Sequence, residues 1–293
     1  MTNAPFSYIY NILYKNSITY NINLQYGSIS FVYEGIKYDI SIIRKDNVLS
    51  NNTVKAQITK SLYNDAIRRD FTINAIYLNI KTYQIYDFFN GYNDLRNGII
   101  NFIGNPIKRC VEDNIRILRY IRFYSMYSKQ SHNPLVLYCI KKLSHTLTDF
   151  NHSRLFKECN KIIKLDSSSS VISNLVNQGH LNSIMFNSTN ISLWQKVVLL
   201  HNKTKLYNIQ SHLIYYILWR DDINIYIPTS QKLLKNIKNI KNIMHYIYLS
   251  EDSNIHNKLN QYNKELVYNA LLLTLALDHN FMNSKYIYQY IKD

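Results

Sequence analysis

Two stretches of this 293-residue chain carry residue types that could hold a charged, hydrogen-bonding ligand. The first is Arg68-Arg69-Asp70-Phe71-Thr72-Ile73-Asn74-Ala75. The second follows about 40 residues later, Glu112-Asp113-Asn114-Ile115-Arg116-Ile117-Leu118-Arg119-Tyr120-Ile121-Arg122-Phe123. Arg69 offers a planar fork of donors suited to phosphate oxygens. Asp70 can orient that arginine or accept from a hydroxyl, and Asn74 shares its face if the segment is helical. Arg-Arg-Asp alone reads equally as the salt-bridged start of a helix. In the second stretch Asp113, Arg116, Arg119 and Arg122 recur every third residue. Glu112 and Asp113 each stand at ion-pair spacing from Arg116, worth ~0.2–0.5 kcal/mol per pair on a helix. Spacing alone therefore favours a solvated charged face.

The elements that must position these residues are legible on either side. Asn105 is a plausible N-cap and Pro106 an N1 residue for a helix over about 106–128. Its inward stripe is Ile117, Leu118, Ile121 and Ser125. Ahead of the first stretch, Tyr8, Ile9, Ile12 and Leu13 fall at helical spacing. Ser28 to Tyr33 and Lys37 to Ile43 alternate around Glu34-Gly35, the pattern of a β-hairpin. Asp39 sits on the second strand, and the strand pattern alone reads it as solvent-facing. Residues 45–60 are polar and aperiodic, hence an expected loop, which leads through Asp65 into Arg68-Arg69-Asp70. Residues 76–103 read as short strands with turns at Gly91 and Gly98. Beyond Lys129 the periodicity is helical, with a serine turn at Ser167–Ser170 and Gly179 suited to a helix C-cap. Lys232, Lys235, Lys238 and Lys241 lie opposite Leu233, Leu234, Ile237, Ile240 and Met244. That row reads first as a solvated face and second as an RNA-backbone contact. The expected class is α+β: a small mixed sheet over about 20–105, then helices.

In this order and at this separation, the two stretches resemble the nucleotide-binding motifs of bacterial-type (class II) CCA tRNA nucleotidyltransferases and the related poly(A) polymerases. These are template-independent enzymes of the polymerase-beta superfamily. Further matches are Gly27 after Tyr26, the strand Asp39-Ile40-Ser41-Ile42-Ile43-Arg44, and Arg154 with Glu158 in the neck segment. The resemblance covers about residues 20–180 and is most specific at 65–125. It implies a head-sheet remnant at 1–105, a helical neck with nucleotide recognition and RNA binding at 106–180, and a helical body at 181–293. It implies CCA addition to tRNA from CTP and ATP, with Mg2+ in the complete enzyme. It assigns Asp113 and Arg116 to the base edge, places Arg119 and Arg122 near the nucleotide, and gives Arg69, Asp70 and Asn74 to nucleotide binding. It brings Asp39 to the metal site as a catalytic carboxylate. The departures are equally specific. The family's Gly-Gly-x-x-Arg-Asp loop and the Asp-x-Asp after it do not occur in the chain. The expectation is a protein truncated before that Asp-x-Asp and inactive alone, with a separate N-terminal fragment as one partner. Poly(A) synthesis and a non-catalytic RNA-binding remnant are the alternatives.

The bulk properties suit this reading. The net charge is +15, which points to a polyanionic partner. Lysine enrichment by an AT-rich codon bias is the plain alternative, and the 27 Tyr have the same explanation. Three cysteines, Cys110, Cys139 and Cys159, form no Cys-x-x-Cys and suit a reducing cytoplasm. The longest apolar run, around Leu271 to Leu277, is far short of a membrane span, and no basic region precedes an apolar stretch at the N-terminus. A cytoplasmic protein with no membrane partner is expected.

Overall fold

The structure, a computed structural model, describes residues 1–2, 4–23, 27–48, 54–149, 152–181, 188–219, 231–249 and 255–278. The chain forms two units, Met1–Asn105 and Pro106–Asp293, and its class is α+β.

The first unit opens with α1 (Phe6–Lys15) and a meander of β1 (Tyr20–Asn23), β2 (Ser28–Tyr33) and β3 (Ile36–Ser41), in the order β1-β2-β3. Glu34 and Gly35 both adopt positive φ, 50° and 75°, as a two-residue hairpin turn requires. They set Tyr33 opposite Ile36 and Ser30 opposite Asp39. Ile9 and Leu13 of α1 bury against Ile29, with Tyr20, Phe31 and Ile40 packed around them. Full burial of such a side chain contributes about 1.5–3 kcal/mol.

Residues 45–60 are not simply a loop. β4 (Arg44–Val48) and β5 (Val54–Ile58) pair antiparallel, Arg44 opposite Ile58. Backbone pairing needs no apolar alternation, so a polar stretch concealed a hairpin. The tip, 49–53, lies outside the described residues. The expected mixed sheet is three small antiparallel sheets, with β6 (Ile76–Leu78) and β7 (Ile85–Asp87) forming the third. One parallel bridge joins Thr2 to Ile42.

α2 (Leu62–Ile67) is capped by Ser61, whose hydroxyl accepts from Asn64 N. A single 3-10 turn, Thr72–Asn74, follows the Arg-Arg-Asp stretch. Residues 91–97, expected as a turn, form α3 (Gly91–Asn97). The Asp87 carboxylate starts it by accepting from Gly91 N at 2.8 Å and Tyr92 N at 2.9 Å, and Gly98 at φ 67° ends it. A Cβ on Gly91 would lie 2.2 Å from the Thr72 carbonyl oxygen, so only glycine fits.

The second unit is helical throughout its described residues. The single helix expected over 106–128 is two, α4 (Pro106–Glu112) and α5 (Ile115–Tyr127). The break comes at Asp113-Asn114. There the backbone tightens to three-residue spacing, Arg116 N donating to Asp113 O and Ile117 N to Asn114 O, while the Asn114 side-chain amide donates to the Thr146 carbonyl at 2.6 Å and hydroxyl at 2.9 Å. α5 buries Ile115, Ile117, Leu118, Tyr120 and Ile121. α6 (Pro134–Leu143) and α7 (His152–Ile162) follow, then α8 (Ser168–Asn177), which takes in most of the expected serine turn. Gly179 at φ 67° closes α8. The rest is α9 (Ser188–Thr204), α10 (Ser211–Trp219), α11 (Gln231–Leu249), α12 (Ile255–Leu259) and α13 (Lys264–Leu277). α11 buries Ile237, Ile240, Ile243 and Ile247, while Leu234 is exposed. The three cysteines are buried free thiols. Among the described residues no helix is long and apolar enough to cross a membrane.

Candidate functional site

In the first unit the centre of the Arg-Arg-Asp stretch is a residue before it. Asp65 is fully buried. It accepts from Arg68 Nη2 at 2.5 Å, Arg69 Nε at 3.1 Å, the Tyr77 hydroxyl at 2.8 Å and Arg44 N at 3.3 Å. Burial pushes its carboxyl pKa up. The Arg68 charge and hydrogen bond, the Tyr77 hydroxyl and the Arg69 charge outweigh burial and hold it below the ordinary value. Arg69, with Nε on Asp65, gives Nη1 to the Asn74 carbonyl at 2.7 Å and turns Nη2 to the Met1 sulfur. Its guanidinium stands 4.9 Å over the Tyr77 ring. Asp70 is buried and accepts from the Asn74 amide and its neighbour's N–H, both at 3.0 Å. The strand-like segment behind clamps this turn: Thr72 N donates to Asn101 O and Ile103 N to Asp70 O. Arg69, Asp70 and Asn74 are thus brought together by a 3-10 turn rather than a helix face.

Asp39 stands apart from that cluster's bonding. It is exposed on β3, accepts from the Ser30 hydroxyl across the pair, and has Lys37 Nζ at 3.8 Å. Among the described residues no group of three or more His, Cys, Asp or Glu could hold a metal ion. One exposed carboxylate beside an ammonium does not suit a pair of divalent cations, so the Mg2+ site implied by resemblance is not assembled from these residues.

In the second unit the acidic and basic residues of the second stretch meet α7. Asp113, in the break between α4 and α5, takes Arg154 Nη2 on Oδ2 at 2.7 Å, while its Oδ1 is buried without a hydrogen-bond partner among the described residues. Arg116 Nη1 donates to the Arg109 carbonyl and to Glu112 Oε2, both at 2.8 Å. Arg122 Nε donates to Glu158 Oε2 at 2.9 Å, with Arg119 at 3.8 Å and Lys161 at 2.7 Å on the other oxygen. Arg122 also stacks 4.1 Å over Phe123. Burial pushes the Glu158 carboxyl up. The Lys161 hydrogen bond and the charges of Arg122, Lys161 and Arg119 outweigh it and hold the pKa below its ordinary value. The face is an inter-helix ion-pair network, not a solvated row.

Residues 1–101 match the poly A polymerase head domain family. Over 111 residues the chain is 36% identical to the CCA-adding enzyme of Staphylococcus saprophyticus, a match covering 37% of this chain and 28% of that protein. Over 141 residues it is 32% identical to the human mitochondrial CCA tRNA nucleotidyltransferase 1, covering 47% and 32%. The matched part therefore spans less than a third of either relative's length. A solved tRNA nucleotidyltransferase, complexed with a primer tRNA and an incoming ATP analog, superposes with TM-score 0.69 at 18% identity, covering 99% of this chain and 87% of that one. At that identity the likeness is one of fold.

Asp65, Arg68 and Glu158 are the structural hubs that sequence reasoning did not single out as site residues. Asp65 had a local signal, three and four residues before Arg68 and Arg69. Glu158 entered only through the family resemblance, and its pairing with Arg122, 36 residues away, had no local signal.

Proposed function

We propose that the chain is the nucleotide- and RNA-recognising part of a CCA-adding tRNA nucleotidyltransferase, acting on tRNA with CTP and ATP. The observation that carries this reading is the Asp113 carboxylate. One oxygen is held by Arg154; the other is buried with its acceptor capacity unused. A base amine is the donor that such an oxygen suits, and a buried acceptor left unpaired costs about 1–3 kcal/mol. Arg116, held by Glu112 and the Arg109 carbonyl, stands three residues on to donate to a ring nitrogen or carbonyl oxygen. Arg69, Asp70 and Asn74 are nucleotide-binding residues in this reading.

Binding and chemistry separate in this chain. The sequence holds no Asp-x-Asp, and Asp39 stands beside Lys37 rather than beside other carboxylates. No step through a metal is assigned to its residues. A separate segment supplying those carboxylates has a place to pair. Among the described residues β3 pairs only with β2, while Thr2 bridges Ile42 in parallel at its end. An added strand beside Asp39 would use the free edge.

The test uses tRNA lacking its 3′ end, Mg2+ and labelled CTP or ATP. The chain alone is expected to bind nucleotide without incorporating it, and a segment carrying Asp-x-Asp is expected to restore incorporation. Asp113→Asn and Arg116→Ala should each weaken CTP binding about tenfold or more by calorimetry, the scale of one charged hydrogen bond. Rapid incorporation by the chain alone overturns the separation. CTP and ATP affinities unchanged in both variants overturn the base-reading role, and long A tracts made from ATP alone favour poly(A) synthesis.

A further inference from the structure

Over Lys235–Ile243 of α11 the unit Lys-Asn-Ile repeats three times in succession. The isoleucines go inward: Ile237, Ile240 and Ile243, joined by Ile247, are all buried. At about 100° per residue, Lys232, Lys235, Lys238 and Lys241 then sweep the whole opposite half of the helix over about 14 Å of its length. All four lysines are exposed, and α11 contains no Asp or Glu. Among the described residues none of the four has a carboxylate within ion-pair distance, the nearest noted partner being the Tyr216 ring, 5.1 Å from Lys241 Nζ. The contrast with α5 is sharp, since Arg116, Arg119 and Arg122 are each matched to a glutamate.

Four exposed cations on one half-cylinder, without a carboxylate partner among the described residues, repel one another, and a polyanion relieves that repulsion by giving up its counterions. We infer that the solvent half of α11 is a docking surface for the phosphodiester backbone of RNA. The inference rests on the RNA-processing function proposed above and names the surface by which the helical unit would hold its RNA. Asn236, Asn239 and Asn242 alternate with the lysines and supply amides able to bond phosphate or ribose oxygens. A membrane surface is the poorer fit. An interfacial helix presents its apolar face to lipid, whereas the isoleucine face of α11 is already buried. Backbone contacts carry no sequence information, so the surface adds affinity and orientation but not the choice of base.

The test is filter binding across a salt series with tRNA lacking its 3′ end and with an unrelated RNA duplex. It compares the full chain, the Lys232→Gln, Lys235→Gln, Lys238→Gln, Lys241→Gln quadruple variant, and the same four positions changed to Arg. Each phosphate contact contributes roughly 0.7–0.9 to the slope of log K against log salt, so the Gln variant should lose about 3 from it on both RNAs. The Arg variant should keep the slope, and far-UV circular dichroism should show both variants folded. An unchanged slope in a folded Gln variant overturns this surface while leaving the proposed function standing. No RNA binding by the unmodified chain overturns both. Lysine-dependent binding to anionic phosphatidylserine vesicles, with RNA binding unaffected, also overturns it.

Discussion

Asp65 accepts hydrogen bonds from four groups spread over residues 44–77, so it ties together the segment that carries Arg69 and Asp70. Asp65→Asn keeps the shape but removes the charge that two arginines share. The expected loss is about 3–5 kcal/mol, the usual cost of breaking a buried pair from one side. The carboxyl is held below its ordinary 3.8. Its contribution is therefore complete above about pH 4 and disappears as pH falls through the lower folded value. Urea titrations should show the wild-type advantage over Asp65→Asn in full at pH 7 and shrinking below pH 4. Gly91 is a second sensitive position. Gly91→Ala drives a methyl into the Thr72 carbonyl, and about 1–3 kcal/mol of overpacking should appear as a lower melting temperature.

α5 and α7 are joined by Glu158, which Arg122 and Lys161 bond and Arg119 approaches, and by the Asp113–Arg154 pair. Arg154 anchors one oxygen of the proposed base-reading carboxylate, so it positions Asp113 rather than touching a nucleotide. Arg154→Ala is expected to leave helix content unchanged while weakening CTP binding severalfold. Arg154→Lys, which keeps the charge without the fork geometry, should recover part of it. An equal loss of stability and binding in both would mean that Arg154 only holds the helices together. The β4–β5 hairpin and α3 show why these elements escaped sequence reading. The first strand of the hairpin, Arg44-Lys45-Asp46-Asn47-Val48, is polar up to its last residue, and α3 begins from the Asp87 carboxylate and an αL Asn90, signals that also mark turns.

At the scale of the whole molecule, burial lowers the pKa of three described histidines, His132, His201 and His212. Burial pushes His132 down to about 4, helped by the charge of His180, and burial alone takes His212 to about 4. The unfolded chain takes up protons at these groups near pH 6.5, whereas the folded chain does not until near pH 4. Stability from both is therefore complete above pH 6.5 and lost progressively as pH falls from 6.5 to 4. Replacing both with Gln should flatten that part of a stability–pH curve. The two units each carry their own buried residues, so residues 106–293 expressed alone should retain a helical far-UV spectrum.

The passage from strands to helices near residue 105, the hairpin at Glu34-Gly35, the buried Ile117, Leu118 and Ile121 of α5 and the two basic stretches were determined by the sequence alone. Each depends on periodicity or turn chemistry within a few residues, and local sterics enforce both. Tertiary structure decided what those stretches do. It divided the expected helix at Asp113-Asn114, where the Asn114 side chain bonds Thr146, 32 residues away. It matched Arg119 and Arg122 of α5 to Glu158 and, among the described residues, left one oxygen of Asp113 unpaired. No local pattern encodes such pairings, because they follow from how helices distant in sequence pack, and burial then sets which charges are neutralised. The lysines of α11 differ from the arginines of α5 for the same reason: the pattern is alike, but among the described residues only the α5 face meets carboxylates.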